Sequence, residues 1–187
     1  MLVFPIQNLK QGEMPFTLMI SADPFKKYAE ALLEKGVLSV KIIEPQTIET
    51  APWVAFKCQF GCPHYGKNLC CPPHAPTYEQ TRKIIDSYQT ALLFHTHERQ
   101  RVTEMAEETA KLMFFDGYYK VIAFGSGPCT LCKECTLQGC INPAKAKPSM
   151  EACGIDVFQT VRNNGYELNT LADRQSQSDN FGLILIY

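Results

Sequence analysis

The 187-residue chain sets 18 Lys and Arg against 19 Asp and Glu, a formal charge of −1, which excludes a bulk electrostatic pull toward nucleic acid or an anionic membrane. Its length suits one domain, 1–187, with a real hydrophobic core rather than a mini-protein held by cross-links. Nine cysteines are the anomaly: their number is odd and all fall between Cys58 and Cys153. A disulfide framework would spread its bridges through the fold, so the clustering favours metal.

In chain order, residues 1–10 lack a basic leader followed by an apolar stretch, and runs such as 182–187 are too short to cross a bilayer. The expectation is a cytoplasmic protein whose thiols stay reduced and free to bind metal. Asp23 before Pro24 predicts a helix start, followed by Phe25, Tyr28, Ala29, Leu32 and Leu33 at helical spacing and a stop at Gly36. Residues 37–43 and 53–56 read as strands. Thr77 with Gln80 forms a capping box for a helix with Tyr78, Thr81, Ile84, Ile85 and Tyr88 inward.

Residues 91–95 read as a buried strand. A helix follows with Val102, Met105, Ala106, Thr109, Leu112 and Met113 on one face, ending near Gly117. Residues 119–124 are a third strand-like run, 149–163 look helical, and 182–187 form a last strand. Strands alternating with helices predict an α/β single domain, with a mixed, mostly parallel sheet flanked by helices and two cysteine-rich metal-binding loops, 57–76 and 125–153.

The first loop holds Cys58, Cys62, Cys70 and Cys71; the second holds Cys129, Cys132, Cys135, Cys140 and Cys153. The C-x2-C-x2-C run at 129, 132 and 135 curls three thiolates toward one cluster, as in bacterial ferredoxins, whereas zinc sites more often pair one C-x2-C knuckle with a distant second pair. Adjacent side chains point apart, so Cys70 and Cys71 do not serve one cluster together. Cys71 precedes Pro72, as the last ferredoxin cysteine precedes proline, and is taken as the ligand. The remaining eight, Cys58, Cys62, Cys71, Cys129, Cys132, Cys135, Cys140 and Cys153, suffice for two 4Fe-4S clusters, with zinc as the alternative.

By the ferredoxin analogy, Cys140 completes the set of Cys58, Cys62 and Cys71, and Cys153 that of Cys129, Cys132 and Cys135; the reverse pairing stays open. His64 and His74 flank the first cysteine group, where either could replace a cysteine ligand, and the favoured reading is outer-sphere or surface residues. His95 and His97 share a strand face, but no acidic third ligand has a clear spacing to them.

The blocks 57–73, 127–140 and 148–157 together resemble an uncharacterised family of cysteine-rich "predicted metal-binding" proteins, a domain of unknown function found mainly in anaerobic bacteria and archaea. The blocks carry Lys57-Cys58, Tyr65-Gly66-Lys67, Cys71-Pro72-Pro73, Gly127-Pro128-Cys129 and Glu151-Ala152-Cys153-Gly154. The resemblance implies cysteine-ligated metal, with iron–sulfur expected ahead of zinc, and implies no reaction.

The leading functional expectation is therefore an electron-transfer or redox-accessory protein with a partner protein of unknown identity and no nucleic-acid or membrane partner. The first alternative is an enzyme with one open cluster iron, assisted from among His64, Tyr65, Lys67, Cys70 and His74. The second is a structural zinc protein.

Overall fold

Alternation along two central strands organises the molecule. The computed structural model describes residues 24–173 and 175–187. In strand β2 (Ala91–Thr96), Ala91 and Leu93 enter one apolar core while Leu92 and Phe94 enter another. Strand β4 (Asn180–Leu185) repeats this, with Leu183 and Leu185 on one side and Ile184 on the other. Both strands are buried on both faces, so they read as continuous apolar runs.

On one face lie α1 (Lys26–Glu34), which buries Tyr28 and Leu32, and α4 (Val102–Phe115), which buries Val102, Met105, Ala106, Thr109, Ala110 and Met113. Leu112 is exposed, and Ala110 takes the inward position instead. The opposite face receives Ile85 from α3 (Tyr78–Ile85) and Val161 from α5 (Val157–Asn163), together with Ala75, Met150 and Cys153 from the feet of the cysteine loops. The predicted capping box of Thr77 and Gln80 is present in both directions. Gly36 ends α1 with φ 90°, and the Asp23 cap lies outside the described residues.

The sheet corrects the expected topology. Its order is β1-β2-β4-β3, with β1 at Ser39–Ile43 and β3 at Ile122–Phe124, and every neighbouring pair is antiparallel. It is not mostly parallel. β2 and β3 do run in the same direction across α4, but the C-terminal strand β4 inserts between them, splitting the β-α-β unit that helix–strand alternation suggests.

Two local expectations also change. Residues 53–56 lie within a helix, α2 (Pro52–Gly61), with Pro52 at its first turn. The stretch 149–163 is a 3-10 turn, Glu151–Cys153, broken by Gly154 at φ 75° before α5 begins. Among the described residues, no helix is long and apolar enough to cross a membrane.

Candidate metal centre

Helix α2 sets the first group of thiols. Pro52 supplies a pre-organised φ at the start, and the backbone N–H of Ala51 donates to the carbonyl of Gly154 at 2.9 Å, docking the helix on the Glu151–Cys153 turn. Cys58 lies in its last turn and Cys62 is the extended residue that ends it, with the N–H of Cys62 donating to the Cys58 carbonyl at 3.2 Å.

The chain then folds back through a loop pinned by the Gly66 N–H to the Pro72 carbonyl at 2.8 Å, and the peptide between Pro72 and Pro73 is cis. Buried Asn68 orients the adjacent cysteines. Its side-chain oxygen accepts from the Cys70 N–H at 3.1 Å, and its backbone carbonyl accepts from the Cys71 N–H at 3.1 Å.

This local geometry sends the two neighbouring thiols to different places. Cys71 joins Cys58 and Cys62 around a cavity of about 210 Å³, together with Tyr65, Arg99 and Glu151. Cys70 joins Cys129, Cys132, Cys135 and Cys140 around a narrower void of about 30 Å³. The second loop is closed at its base by a bridge between Gly125 and Ser149, with Gly125 N–H to Pro148 carbonyl at 2.9 Å. Within it, the Asn142 amide donates to the Cys132 sulfur at 3.2 Å.

All nine cysteines are free thiols. Cys140 stands beside Cys129, Cys132 and Cys135, and so does Cys70, which sequence reasoning set aside. Cys153 lines neither cavity and lies fully buried beneath them in the core. His64 and His74 are exposed and line neither cavity.

Burial dominates the electrostatics of these thiols. It raises Cys58, with further contributions from Cys62, Cys71 and Glu151. It raises Cys71 despite an opposing hydrogen bond from Asn68. Cys70 is pushed up to about 12 by burial first and then by Cys129, Cys140 and Cys71. Cys153 also reaches about 12, again chiefly through burial. Closely packed thiols that resist ionising one by one are the condition in which a bound cation stabilises several thiolates at once.

Glu151 is the residue that sequence reasoning missed. Its Oε2 is buried without a hydrogen-bond partner among the described residues, and it lines the cavity with Cys58, Cys62 and Cys71. An orphaned buried carboxylate oxygen costs free energy unless it meets a donor or a cation. Its signal in the sequence was only its place two residues before Cys153.

The donor spacing separates two kinds of centre. Thiolates bound to one tetrahedral zinc at about 2.3 Å lie about 3.8 Å apart. Among the described residues, no three cysteine sulfurs come within 4.8 Å of one another. The three-thiol set is thus spread around a space larger than one ion.

The family described as Predicted metal-binding protein (DUF2284) matches residues 41–186. No curated protein and no solved structure matches the chain.

Proposed function

The chain belongs to the DUF2284 family of predicted metal-binding proteins, and on that premise we propose that it is an iron–sulfur protein with two adjacent centres that passes single electrons to a partner protein. One observation carries this reading: the neighbouring residues Cys70 and Cys71 face different thiol sets, so a single peptide unit joins the two sites. Iron–sulfur clusters held there would supply one-electron redox chemistry. The residues fit such groups through soft thiol donors, through sulfur spacing wider than one zinc ion requires, and through an amide from Asn142 aimed at a ligand sulfur.

The test is iron, sulfide and zinc analysis with EPR on anaerobically prepared full-length protein, before and after dithionite. The expected result is iron and acid-labile sulfide in equal amounts, with two reducible signals. Stoichiometric zinc without iron or sulfide would make the sites structural and end the redox reading.

A second reading is favoured by the first cavity alone. Only three thiols line it, and its remaining polar lining includes the orphaned Glu151 carboxylate and the Arg99 guanidinium. In this reading Glu151 supplies the fourth, exchangeable ligand of that centre, and Arg99 attracts an anionic substrate to it. Glu151→Gln keeps the shape and removes the charge. It is expected to leave iron content unchanged while altering the EPR signal of one reduced centre; superposable wild-type and variant spectra would remove Glu151 from the ligand set.

A further inference from the structure

A separate cluster of ligating side chains lies where β2 and β4 run side by side. His95 and His97 alternate onto one side of β2 and its continuation. β4 pairs Phe181 with His95 and Asn180 with Thr96, and the next step of the same register sets Asp179 opposite His97. Oδ1 of Asp179 stands 2.8 Å from Nε2 of His95 and 3.4 Å from Nδ1 of His97.

The three ligand atoms lie within 4.8 Å of one another, a convergence that no set containing a cysteine reaches among the described residues. Donors bound at about 2.0–2.1 Å to one tetrahedral ion lie about 3.3 Å apart; His97 and Asp179 stand close to that separation at 3.4 Å, and the 2.8 Å hydrogen bond between His95 and Asp179 needs to open by only about 0.5 Å for an ion to replace its proton. The His95 ring is held in place by stacking on Phe181, with centroids 4.8 Å apart and planes at 19°, and by the edge contact of Tyr166 at 6.0 Å. Tyr166 is itself fixed by a 3.0 Å hydrogen bond with the Ser39 hydroxyl. The ligand side chains keep 17%, 38% and 37% of their surface exposed, which leaves an outward face open.

We infer that His95, His97 and Asp179 form a binding site for one divalent transition-metal ion, zinc or ferrous iron, distinct from the thiol centres. Two imidazoles and one carboxylate with an open side are the donor set both ions accept when they keep a position for water or substrate. The site also neighbours the three-thiol cavity along the chain: the Arg99 N–H donates to the His97 carbonyl at 3.1 Å, and Arg99 lines that cavity.

The test is a titration of the anaerobically prepared, metal-loaded protein with Co(II), followed by optical absorption. The wild type should take up one further Co(II) per chain with d–d bands and no added sulfur-to-metal charge transfer. Asp179→Asn and His97→Ala should each lose that uptake while retaining wild-type iron, sulfide and circular dichroism. Undiminished uptake in both variants, no further uptake by the wild type, or uptake accompanied by sulfur charge transfer alone would overturn the site.

Discussion

Cys71→Ser is expected to remove one of the two reduced EPR signals and roughly half of the bound iron and sulfide, leaving the other signal intact. Cys71 shares its cavity with Cys58 and Cys62, so Cys58→Ser and Cys62→Ser should give the same residual spectrum. Cys140→Ser should give the complementary one, because Cys140 stands with Cys129, Cys132 and Cys135. The physical reason is that a serine hydroxyl is a harder, far more weakly acidic donor than a thiol and does not replace it on a soft site.

Cys70→Ser is the internal control. Five thiols line its void and one cluster takes four, so iron content should hold in Cys70→Ser with Cys140 as the fourth ligand; loss in Cys70→Ser and retention in Cys140→Ser would exchange the two. The ferredoxin analogy makes the opposite forecast for Cys140, whose loss would then match that of Cys71. Finding the Cys71→Ser and Cys140→Ser spectra identical would place Cys140 in the first centre, as the ferredoxin analogy has it, and overturn its grouping with Cys129, Cys132 and Cys135.

The cysteines that the structure gathers were legible in the sequence, and which of them stand together was legible only in part. Spacing identifies Cys129, Cys132 and Cys135 as a unit because a C-x2-C-x2-C loop is short enough to converge without help from the rest of the fold. Cys140 and Cys153 depend on tertiary placement: the Gly125–Ser149 bridge closes one loop around Cys140, while the turn Glu151–Cys153 carries Cys153 into the core. The rule that adjacent side chains diverge was sound for Cys70 and Cys71. It implied two destinations, where the reading allowed only one and left Cys70 over.

Elsewhere the limits were those of local pattern. The apolar run Trp53-Val54-Ala55-Phe56 is too short to distinguish strand from helix, and Pro52 was the signal that decided for a helix start. That error hid the i, i+4 relation of Cys58 and Cys62. The parallel sheet followed from treating β2-α4-β3 as a closed unit, although β4 lies between its strands. Asp179 was invisible for the same reason. Parallel pairing would have set the far end of β4 beside His97, and only the antiparallel register brings Asp179 to the two histidines.

Gly154→Ala is expected to be among the most damaging small substitutions in the chain. Gly154 adopts φ 75°, and a Cβ there would lie 2.5 Å from the Tyr78 Cβ and 2.9 Å from the Tyr78 Cα. The second atom is backbone at the start of α3, so a rotamer change does not relieve the contact. The left-handed conformation costs an alanine about 1–2 kcal/mol, and overpacking adds about 1–3 kcal/mol. Together these take a large share of the roughly 5–15 kcal/mol that keeps a typical domain folded.

The damage should reach the first centre, because the same residue holds its parts together. The Gly154 carbonyl accepts from Ala51 ahead of α2, its N–H donates to the Glu151 carbonyl, and Cys153 precedes it in the core. Displacing Gly154 therefore separates the helix carrying Cys58 from the turn carrying Glu151. Urea unfolding should show a lowered midpoint for Gly154→Ala, and the signal lost on Cys71→Ser should weaken with it. Gly61→Ala, whose added Cβ meets nothing within 4 Å, should leave the midpoint unchanged or slightly raised, since alanine is the better helix former. Equal midpoints for the two variants would mean that the contact with Tyr78 is relieved by movement of α3, and that the turn does not fix the geometry of the centre.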